Sequence, residues 1–261
     1  MKKLVTIIMS VYNSEKHLKN AIDSILNQSY QNFEFIIIDD NSTDDTWDIL
    51  INYNKKDPRV KIYKNTVNKG LPENLNNAIK ISEGDYIARM DGDDISDRKR
   101  IERQVEYLEH NPDISMVGSF SWLINEEGEN IGQKRVHLTT NFKKLLRRID
   151  VIHASVMFRG DFFKKYGFYD PYFKKAQDMD LWLRATEKGA TIATIPEYLY
   201  YIRSDRKLIS RRKLGQKFRI EIKKKYLSGL KYYKSIIPNV VVIYTPCFIL
   251  NAIWLLKNRA R

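Results

Sequence analysis

The sequence contains a single cysteine, Cys247, among its 261 residues. One cysteine cannot form an internal disulfide, and it cannot build a metal cluster from several thiolates. The first residues also lack the apolar core of a signal peptide, because the short apolar run after Met1 ends at the polar Ser10. We therefore expect a protein of the reducing cytoplasm.

Glycine-rich nucleotide-binding loops are also missing. Neither the GxGxxG pattern of dinucleotide-binding folds nor the GxxxxGK[ST] pattern of P-loop enzymes occurs after any predicted strand. These absences argue against NAD-type oxidoreductases and P-loop enzymes. If a diphosphate binds to this protein, glycine main-chain amides are not what holds it.

The formal net charge of +13 is distributed unevenly along the chain. Residues 1–205 carry 30 Lys and Arg against 31 Asp and Glu, whereas residues 206–234 carry 12 against 1. A nearly neutral body argues against a nucleic-acid-binding protein, although the basic stretch alone would suggest one. We predict a folded domain at 1–205 and a separate basic C-terminal region at 206–261.

Apolar runs alternate with helix-period segments through the first hundred residues, which predicts an α/β fold with a mostly parallel sheet flanked by helices. Ser42 with Asp45 resembles a helix capping box, and Pro72 suits the start of a helix. The strands predicted in this part are residues 4–10, 33–38, 60–63 and 86–90.

Beyond residue 114 the alternation weakens, and the elements are less regular. Gly189 is expected to end a helix, because glycine readily adopts the conformation found after the last helical turn. The elements predicted here are a hairpin around 125–130, a helix near 141–148, a strand at 153–158, a helix at 178–188 and a strand around 191–195.

Carboxylates follow two of the predicted strands. Asp40 comes after the second strand, and Asp91, Asp93 and Asp94 follow the fourth, where the small Gly92 allows a tight bend. Ligands of open parallel sheets bind at the carboxyl ends of the strands. Carboxylate oxygens suit Mg²⁺ or Mn²⁺, and such a cation would let these groups lie beside a diphosphate. The alternative is a solvated acidic turn, because a DxD motif alone is a weak signal.

A series of motifs in a fixed order is far more specific than the DxD motif. Over about residues 3–210 this series resembles the family 2 glycosyltransferases of bacterial surface-polysaccharide synthesis, which implies an inverting enzyme with the Rossmann-like GT-A fold. The motifs are VTIIMSVYN at 5–13, SILNQ at 24–28, FIIIDDNS at 35–42, NKGL at 68–71, ARMDGDD at 88–94, HASVMF at 153–158, QDMDLWLR at 177–184 and YIR at 201–203.

The resemblance implies that three residues bind the nucleotide base. Ser10 and Tyr12 match positions that frame the base, and Asp40 matches the aspartate that reads it. Uracil offers one N–H donor at N3, which a carboxylate accepts, so the donor is expected to be a UDP-sugar. Asp40 has a structural alternative, an Asx turn or a cap for the following helix.

The resemblance also implies a metal and diphosphate site. Asp93 and Asp94 match the metal-side and phosphate-side carboxylates, and Asp91 matches a supporting or water-mediated ligand, so Mn²⁺ or Mg²⁺ is expected on Asp93 and Asp91. Arg203 is a candidate contact for the diphosphate, with a surface position as the equal alternative.

Asp178 matches the catalytic base of the family, which takes the proton of the acceptor hydroxyl. Its structural alternative is to cap the helix that starts here. The family usually has Glu at the preceding position, whereas this chain has Gln177 and so lacks one negative charge beside the base. His153 is expected to be buried and hydrogen-bonded rather than a metal ligand or a base.

These implications predict a GT-A catalytic domain at 1–205, with a nucleotide-sugar-binding half at 1–113 and an acceptor half at 114–205. The expected reaction moves a sugar from a UDP-sugar to a hydroxyl of a carbohydrate or lipid-linked acceptor, in cell-surface polysaccharide or glycolipid synthesis. The alternatives are a sugar nucleotidyltransferase and a catalytically silent relative that binds nucleotide.

The C-terminal region combines basic residues with apolar ones. Residues 206–234 interleave Lys and Arg with apolar side chains, and residues 236–256 carry no formal charge. Pro238 and Pro246 interrupt this apolar run, which favours docking at the membrane interface or a hairpin over a spanning helix, with packing into the protein core as the alternative. We expect peripheral attachment to the inner face of the cell membrane, and no nucleic-acid partner.

Overall fold

The computed structural model describes residues 2–147, 151–204 and 209–245, and in them one ten-stranded mixed sheet carries helices on both faces. The strand order is β3-β2-β1-β4-β9-β6-β10-β5, with β7 paired to β6 and β8 to β10. The strands are β1 (Val5–Val11), β2 (Phe33–Asp39), β3 (Val60–Lys64), β4 (Tyr86–Asp91), β5 (Ile95–Ser96), β6 (Met116–Ile124), β7 (Asn130–Lys134), β8 (Thr139–Thr140), β9 (Met157–Arg159) and β10 (Ile192–Arg203). The helices are α1 (Leu18–Leu26), α2 (Thr46–Lys56), α3 (Leu71–Lys80), α4 (Arg100–His110), α5 (Phe142–Arg147), α6 (Phe162–Tyr166), α7 (Gln177–Glu187), α8 (Ile209–Tyr226) and α9 (Gly229–Tyr244).

The four strands β1 to β4 confirm the prediction of a parallel sheet in the first hundred residues. β1 lies between β2 and β4 and is parallel to both, and β2 is parallel to β3. Every residue of β2 is buried, which explains why residues 35–38 of this strand form an apolar run rather than an alternating pattern. Val11 pairs with Asp39 and Ser10 pairs with Asp91, so the carboxyl ends of the strands lie at one edge.

Successive residues of β1 point to opposite faces of the sheet. Ile7 and Met9 pack into the core formed with α1, α2 and α4, whereas Ile8 and Ile36 pack into the core formed with α3, α5, α6 and α7. Each of these four side chains is fully buried, and such burial contributes about 1.5–3 kcal/mol per side chain. The two cores hold the central strands rigidly beneath the edge where the acidic residues lie.

The two predicted helix starts have different outcomes. Pro72 lies in the first turn of α3, as predicted. The predicted capping box is wrong, because α2 begins after Asp45 without a side-chain capping bond. Ser42 instead donates its hydroxyl to the Asp39 carboxylate and accepts the main-chain N–H of Asn13 at 3.0 Å. The hydroxyl therefore joins two loops and is not available to the helix.

The second half of the domain confirms the hairpin, which turns between β6 and β7, and the helix that ends before Gly189. α5 confirms the helix predicted near 141–148, although residue 148 lies outside the described residues. The strand predicted at 153–158 is wrong in its first half, where residues His153–Ser155 form a 3₁₀ turn. Ser155 closes this turn, because its main-chain N–H and its hydroxyl both donate to the Ile152 carbonyl at 3.0 Å.

β10 is longer than the strand predicted around 191–195. It continues to Arg203 and pairs with β6, with register shifts between Ile195 and Tyr200. Pro196 lies at the start of this irregular part. Proline is tolerated in a strand at such an irregularity, so β10 continues past Pro196.

The basic C-terminal region contains two packed helices, α8 and α9, within its described part. Among the described residues, no helix combines the length and apolar character that crossing a membrane requires. The apolar run predicted at 236–256 lies only partly in this range, because residues after 245 lie outside the described part.

Candidate active site

A pocket of about 430 Å³ opens at the carboxyl ends of β1, β2 and β4. It brings together five of the residues predicted to bind the donor, which come from three separate parts of the sequence. They are Ser10, Tyr12, Asp40, Asp91 and Asp93. A larger cavity of about 620 Å³ lies at the opposite edge of the sheet, near the start of β4.

The turn after β4 holds three carboxylates close together. Asp91, Asp93 and Asp94 each offer an oxygen within 4.8 Å of the others. Gly92 makes this turn possible, because a Cβ atom at this position would lie 2.7 Å from Cγ1 of Val11. The predicted need for a small residue within the DxD motif therefore has a direct steric cause.

The three carboxylates differ in their partners and exposure. Asp91 pairs with the buried guanidinium of Arg89, and the Asp94 carboxylate accepts the main-chain N–H of Arg203 at 2.8 Å. Asp94 is buried, Asp91 is partly buried, and Asp93 is exposed. Asp93 is thus the carboxylate most accessible from the pocket.

The charge of this cluster is costly without a cation. The Asp93 side chain is exposed, but the protein around it displaces part of its hydration. This desolvation, followed by the charge of Asp91, raises the pKa of Asp93 to about 6. Burial, followed by the charges of Asp91 and Asp93, raises the pKa of Asp94 well above its usual range. Three hard oxygen donors that repel one another suit a divalent cation such as Mn²⁺ or Mg²⁺.

Asp40 lies in the pocket wall and is 3% exposed. One carboxylate oxygen accepts the main-chain N–H of Lys69 and the side-chain amide of Asn65, both at 2.8 Å, and the other accepts the N–H of Gly70 at 2.8 Å. The side chain therefore orders the loop before α3. Recognition of the nucleotide base by Asp40 remains a prediction. The carboxylate oxygen that binds Gly70 can still accept a further hydrogen bond.

Ser10 and Tyr12 occupy different depths of the pocket. Ser10 accepts a hydrogen bond at 3.0 Å from the side-chain amide of Asn74 on α3, which fixes its hydroxyl. Tyr12 is 51% exposed at the end of β1. Its ring is therefore available to a ligand rather than part of the core.

One wall of the pocket comes from residues that the sequence did not reveal. Glu126, in the turn between β6 and β7, forms an ion pair with Lys16 and lies 3.1 Å from Nε2 of His17. The Lys16 ammonium, followed by the His17 ring, lowers the pKa of Glu126 to about 2. Glu126 lies in the weakly patterned part of the sequence, about 110 positions from Lys16, so no local signal marks this contact.

Arg203 lies below the pocket and is 6% exposed. Its Nε atom donates to the main-chain carbonyl of Asp93 at 2.8 Å, and Nη1 donates to the carbonyls of Asn125 and Glu126 at 2.6 and 2.7 Å. The alternative of a surface position for Arg203 is therefore wrong. The guanidinium joins the DxD turn to the β6–β7 turn, while its contact with a diphosphate remains a prediction.

Asp178 lies in the first turn of α7 and outside the residues that line the pocket. It is not the N-cap of this helix, because Ala176 occupies that position. His153 is partly buried, and its Nε2 lies 2.8 Å from the Tyr169 hydroxyl. Loss of hydration inside the protein and then the charge of Arg89 lower the pKa of His153 well below its usual range. The predicted hydrogen bond is present, whereas the side chain is partly rather than fully buried.

Solved structures share this architecture. The chain superposes on TarS of Staphylococcus aureus in complex with UDP-GlcNAc with a TM-score of 0.67 and 18% identity, covering 93% of this chain and 72% of TarS. It superposes on the mannosyltransferase PcManGT of Pyrobaculum calidifontis, in complex with GDP-Man and Mn²⁺, with a TM-score of 0.68 and 16% identity, covering 100% and 74%. The fold, with an acidic turn at the carboxyl end of β4, is that of a GT-A glycosyltransferase.

The sequence comparisons are more specific. The model of glycosyl transferase family 2 matches residues 6–167, and the chain belongs to this family. It is 31% identical to an uncharacterized glycosyltransferase of Methanocaldococcus jannaschii, over 99% of this chain and 95% of the relative. It is 34% identical to WfaP of Escherichia coli, a UDP-Glc:alpha-D-GlcNAc-diphosphoundecaprenol beta-1,3-glucosyltransferase, over 72% of each protein. The protein is a glycosyltransferase.

Proposed function

We propose that this glycosyltransferase is an inverting enzyme that uses a UDP-sugar to build a cell-surface polysaccharide or glycolipid. The observation that carries the proposal is the pocket that joins Asp40 to the DxD turn. In this cleft the nucleotide base of the donor would lie at Asp40 and its diphosphate at Asp93. The named activity of WfaP and the UDP-GlcNAc complex of TarS support a UDP-sugar as donor.

In this proposal a divalent cation binds to Asp93, with Asp91 as the supporting ligand. The observed fit is the set of three oxygen donors within 4.8 Å. Loss of hydration, followed by the charge of Asp91, raises the pKa of Asp93. When bound, Mn²⁺ or Mg²⁺ would neutralise charge on the diphosphate leaving group. Asp91 is already paired with Arg89, which supports Asp93 as the principal ligand.

Asp178 is the base of the proposed reaction. The acceptor hydroxyl gives its proton to the Asp178 carboxylate while its oxygen forms a bond to the anomeric carbon of the sugar. The bond between that carbon and the diphosphate breaks, UDP leaves, and the anomeric configuration is inverted. Gln177, beside the base, carries a neutral amide. It is buried, and its Oε1 has no hydrogen-bond partner among the described residues.

The two halves of the proposed catalytic domain, 1–113 and 114–205, then have distinct tasks. The first binds the donor through Asp40 and the DxD turn, and the second binds the acceptor and supplies Asp178. The second half also contributes Glu126 to the donor pocket. A lipid-linked acceptor fits the named substrate of WfaP, and it would place the enzyme at the inner face of the cell membrane through residues 206–261.

Calorimetric titration with UDP, CDP and GDP, each with and without Mn²⁺, tests the donor site. We expect UDP to bind more tightly than CDP and GDP, and only when Mn²⁺ is present. Preferred binding of GDP would contradict the assignment of the base. Release of pyrophosphate rather than UDP during turnover would contradict sugar transfer and identify a nucleotidyltransferase.

A further inference from the structure

Helix α9 presents a row of five exposed apolar or aromatic side chains. Neighbouring members of this row are three or four residues apart, the spacing that places side chains on one face of a helix. We call it the α9 stripe, and it consists of Leu230, Tyr233, Ile237, Val241 and Tyr244, which are 69%, 64%, 58%, 56% and 80% exposed. Isolated apolar residues are common on protein surfaces, whereas a continuous row of this length needs an explanation.

The opposite face of α9 is already used for packing. Asn239 is 7% exposed, accepts the Lys223 ammonium at 2.9 Å and donates to the Gln216 side chain at 2.6 Å. Both partners lie on α8. Position 239 is two residues from 237 and 241, which turns its side chain to the far side of the helix. The α9 stripe therefore faces away from α8.

The two helices that form this region are rich in basic residues. Residues 209–245 carry ten Lys and Arg and one acidic residue, Glu221. Lys231 and Lys234 belong to α9 itself, and both are exposed. Any partner that covers the stripe must accept this positive charge.

We propose that the α9 stripe is a membrane-docking face whose partner is the surface of an anionic lipid bilayer. Apolar side chains enter the boundary between head groups and acyl chains, and the tyrosines suit the interfacial layer. Each nearby lysine adds about 1 kcal/mol of attraction to anionic head groups. A second copy of the chain fits less well, because its α9 would bring the same lysines into repulsion.

The proposal goes beyond the donor site and does not depend on it. α9 lies flat on the bilayer, in agreement with the absence of a spanning helix among the described residues. Docking would hold the catalytic domain beside lipid-linked acceptors, and this consequence rests on the proposed function. The surface itself can be tested without donor or acceptor.

Co-sedimentation of the full chain with lipid vesicles measures the docking directly. We expect binding to vesicles of phosphatidylcholine with phosphatidylglycerol, weaker binding at high salt, and little binding to phosphatidylcholine alone. Ile237→Glu should weaken vesicle binding about tenfold or more. The matched control is Leu138→Glu, which places the same charge at an exposed leucine of the catalytic domain (51% exposed) and should bind like the unchanged protein.

A gain-of-signal variant separates docking from a folding defect. Ile237→Trp places a fluorophore in the stripe, and anionic vesicles with brominated acyl chains should quench its added fluorescence. Absence of this quenching would overturn the proposal. The same result is expected if the protein's own residues 246–261, rather than lipid, cover the stripe. Formation of a lipid-independent dimer that Ile237→Glu dissociates would also overturn it. UDP binding by Ile237→Glu should remain unchanged, so docking and donor recognition can fail separately.

Discussion

The Nε atom of Arg203 donates a hydrogen bond to the main-chain carbonyl of Asp93, with 2.8 Å between nitrogen and oxygen. The same guanidinium holds the carbonyls of Asn125 and Glu126 in the β6–β7 turn. One buried side chain thus links the acidic turn to the opposite wall of the donor pocket. The geometry of the proposed metal ligand depends on a residue at the end of β10, far away in the sequence.

We therefore expect Arg203→Ala to destabilise the protein by about 2–4 kcal/mol, because three carbonyls lose their donor in a buried position. UDP binding in the presence of Mn²⁺ should weaken about tenfold or more, since the turn is no longer fixed. Urea unfolding and calorimetry measure the two effects. The control is Arg103→Ala, which removes a more exposed arginine paired with Glu197 and should change stability by less than about 1 kcal/mol.

The proposed roles of Asp93 and Asp178 predict that one variant loses UDP binding and the other loses sugar transfer. Asp93→Asn should abolish the Mn²⁺-dependent part of UDP binding, because the principal ligand loses its charge. Asp178→Asn should leave UDP binding unchanged and lower the rate of sugar transfer by about a hundredfold or more, since the base is missing. Calorimetry and a UDP-release assay provide the measurements. Equal loss of UDP affinity in both variants would contradict the assignment.

Asp91 and Asp93 should differ in their effect on stability. Asp91→Ala leaves the fully buried Arg89 guanidinium without its carboxylate, and such a loss costs about 3–5 kcal/mol. Asp93→Asn removes one of three carboxylates that repel one another, so it should leave stability unchanged or increase it. Urea unfolding in EDTA compares the variants, and the double variant Arg89→Met/Asp91→Ala should recover part of the loss. Equal destabilisation by the two single variants would argue against the Arg89 pairing.

The sequence predicted the parts of the site that local pattern controls. Apolar runs specify β1, β2 and β4, and a parallel sheet necessarily brings their carboxyl ends together, so Asp40 and Asp91 were expected in one cleft. The contacts of Glu126 and Arg203 join positions 77 to 110 residues apart, and Arg203 bonds to main-chain carbonyls, which leave no residue pattern. Ser42 shows the same limit, because its hydroxyl binds the main-chain N–H of Asn13, 29 positions away, instead of forming the local cap that its spacing predicted.

His153 should make the protein sensitive to acid through its effect on folding. Burial lowers the pKa of His153 in the folded state well below its usual value, so protonation favours the unfolded state. The unfolded chain then binds more protons as the pH falls below about 6.5, and stability is lost by up to about 1.4 kcal/mol per pH unit. Above this pH the ring is neutral in both states, and its contribution does not change.

Urea unfolding at pH 7, 6 and 5 measures this dependence, and His153→Gln should flatten it. Glutamine can still bond to the Tyr169 hydroxyl but takes up no proton in this range. His110→Gln, at the exposed end of α4, is the matched control and should follow the unchanged protein. If His153→Gln loses stability with acid as steeply as the unchanged protein, the acid sensitivity arises elsewhere and His153 has only a packing role.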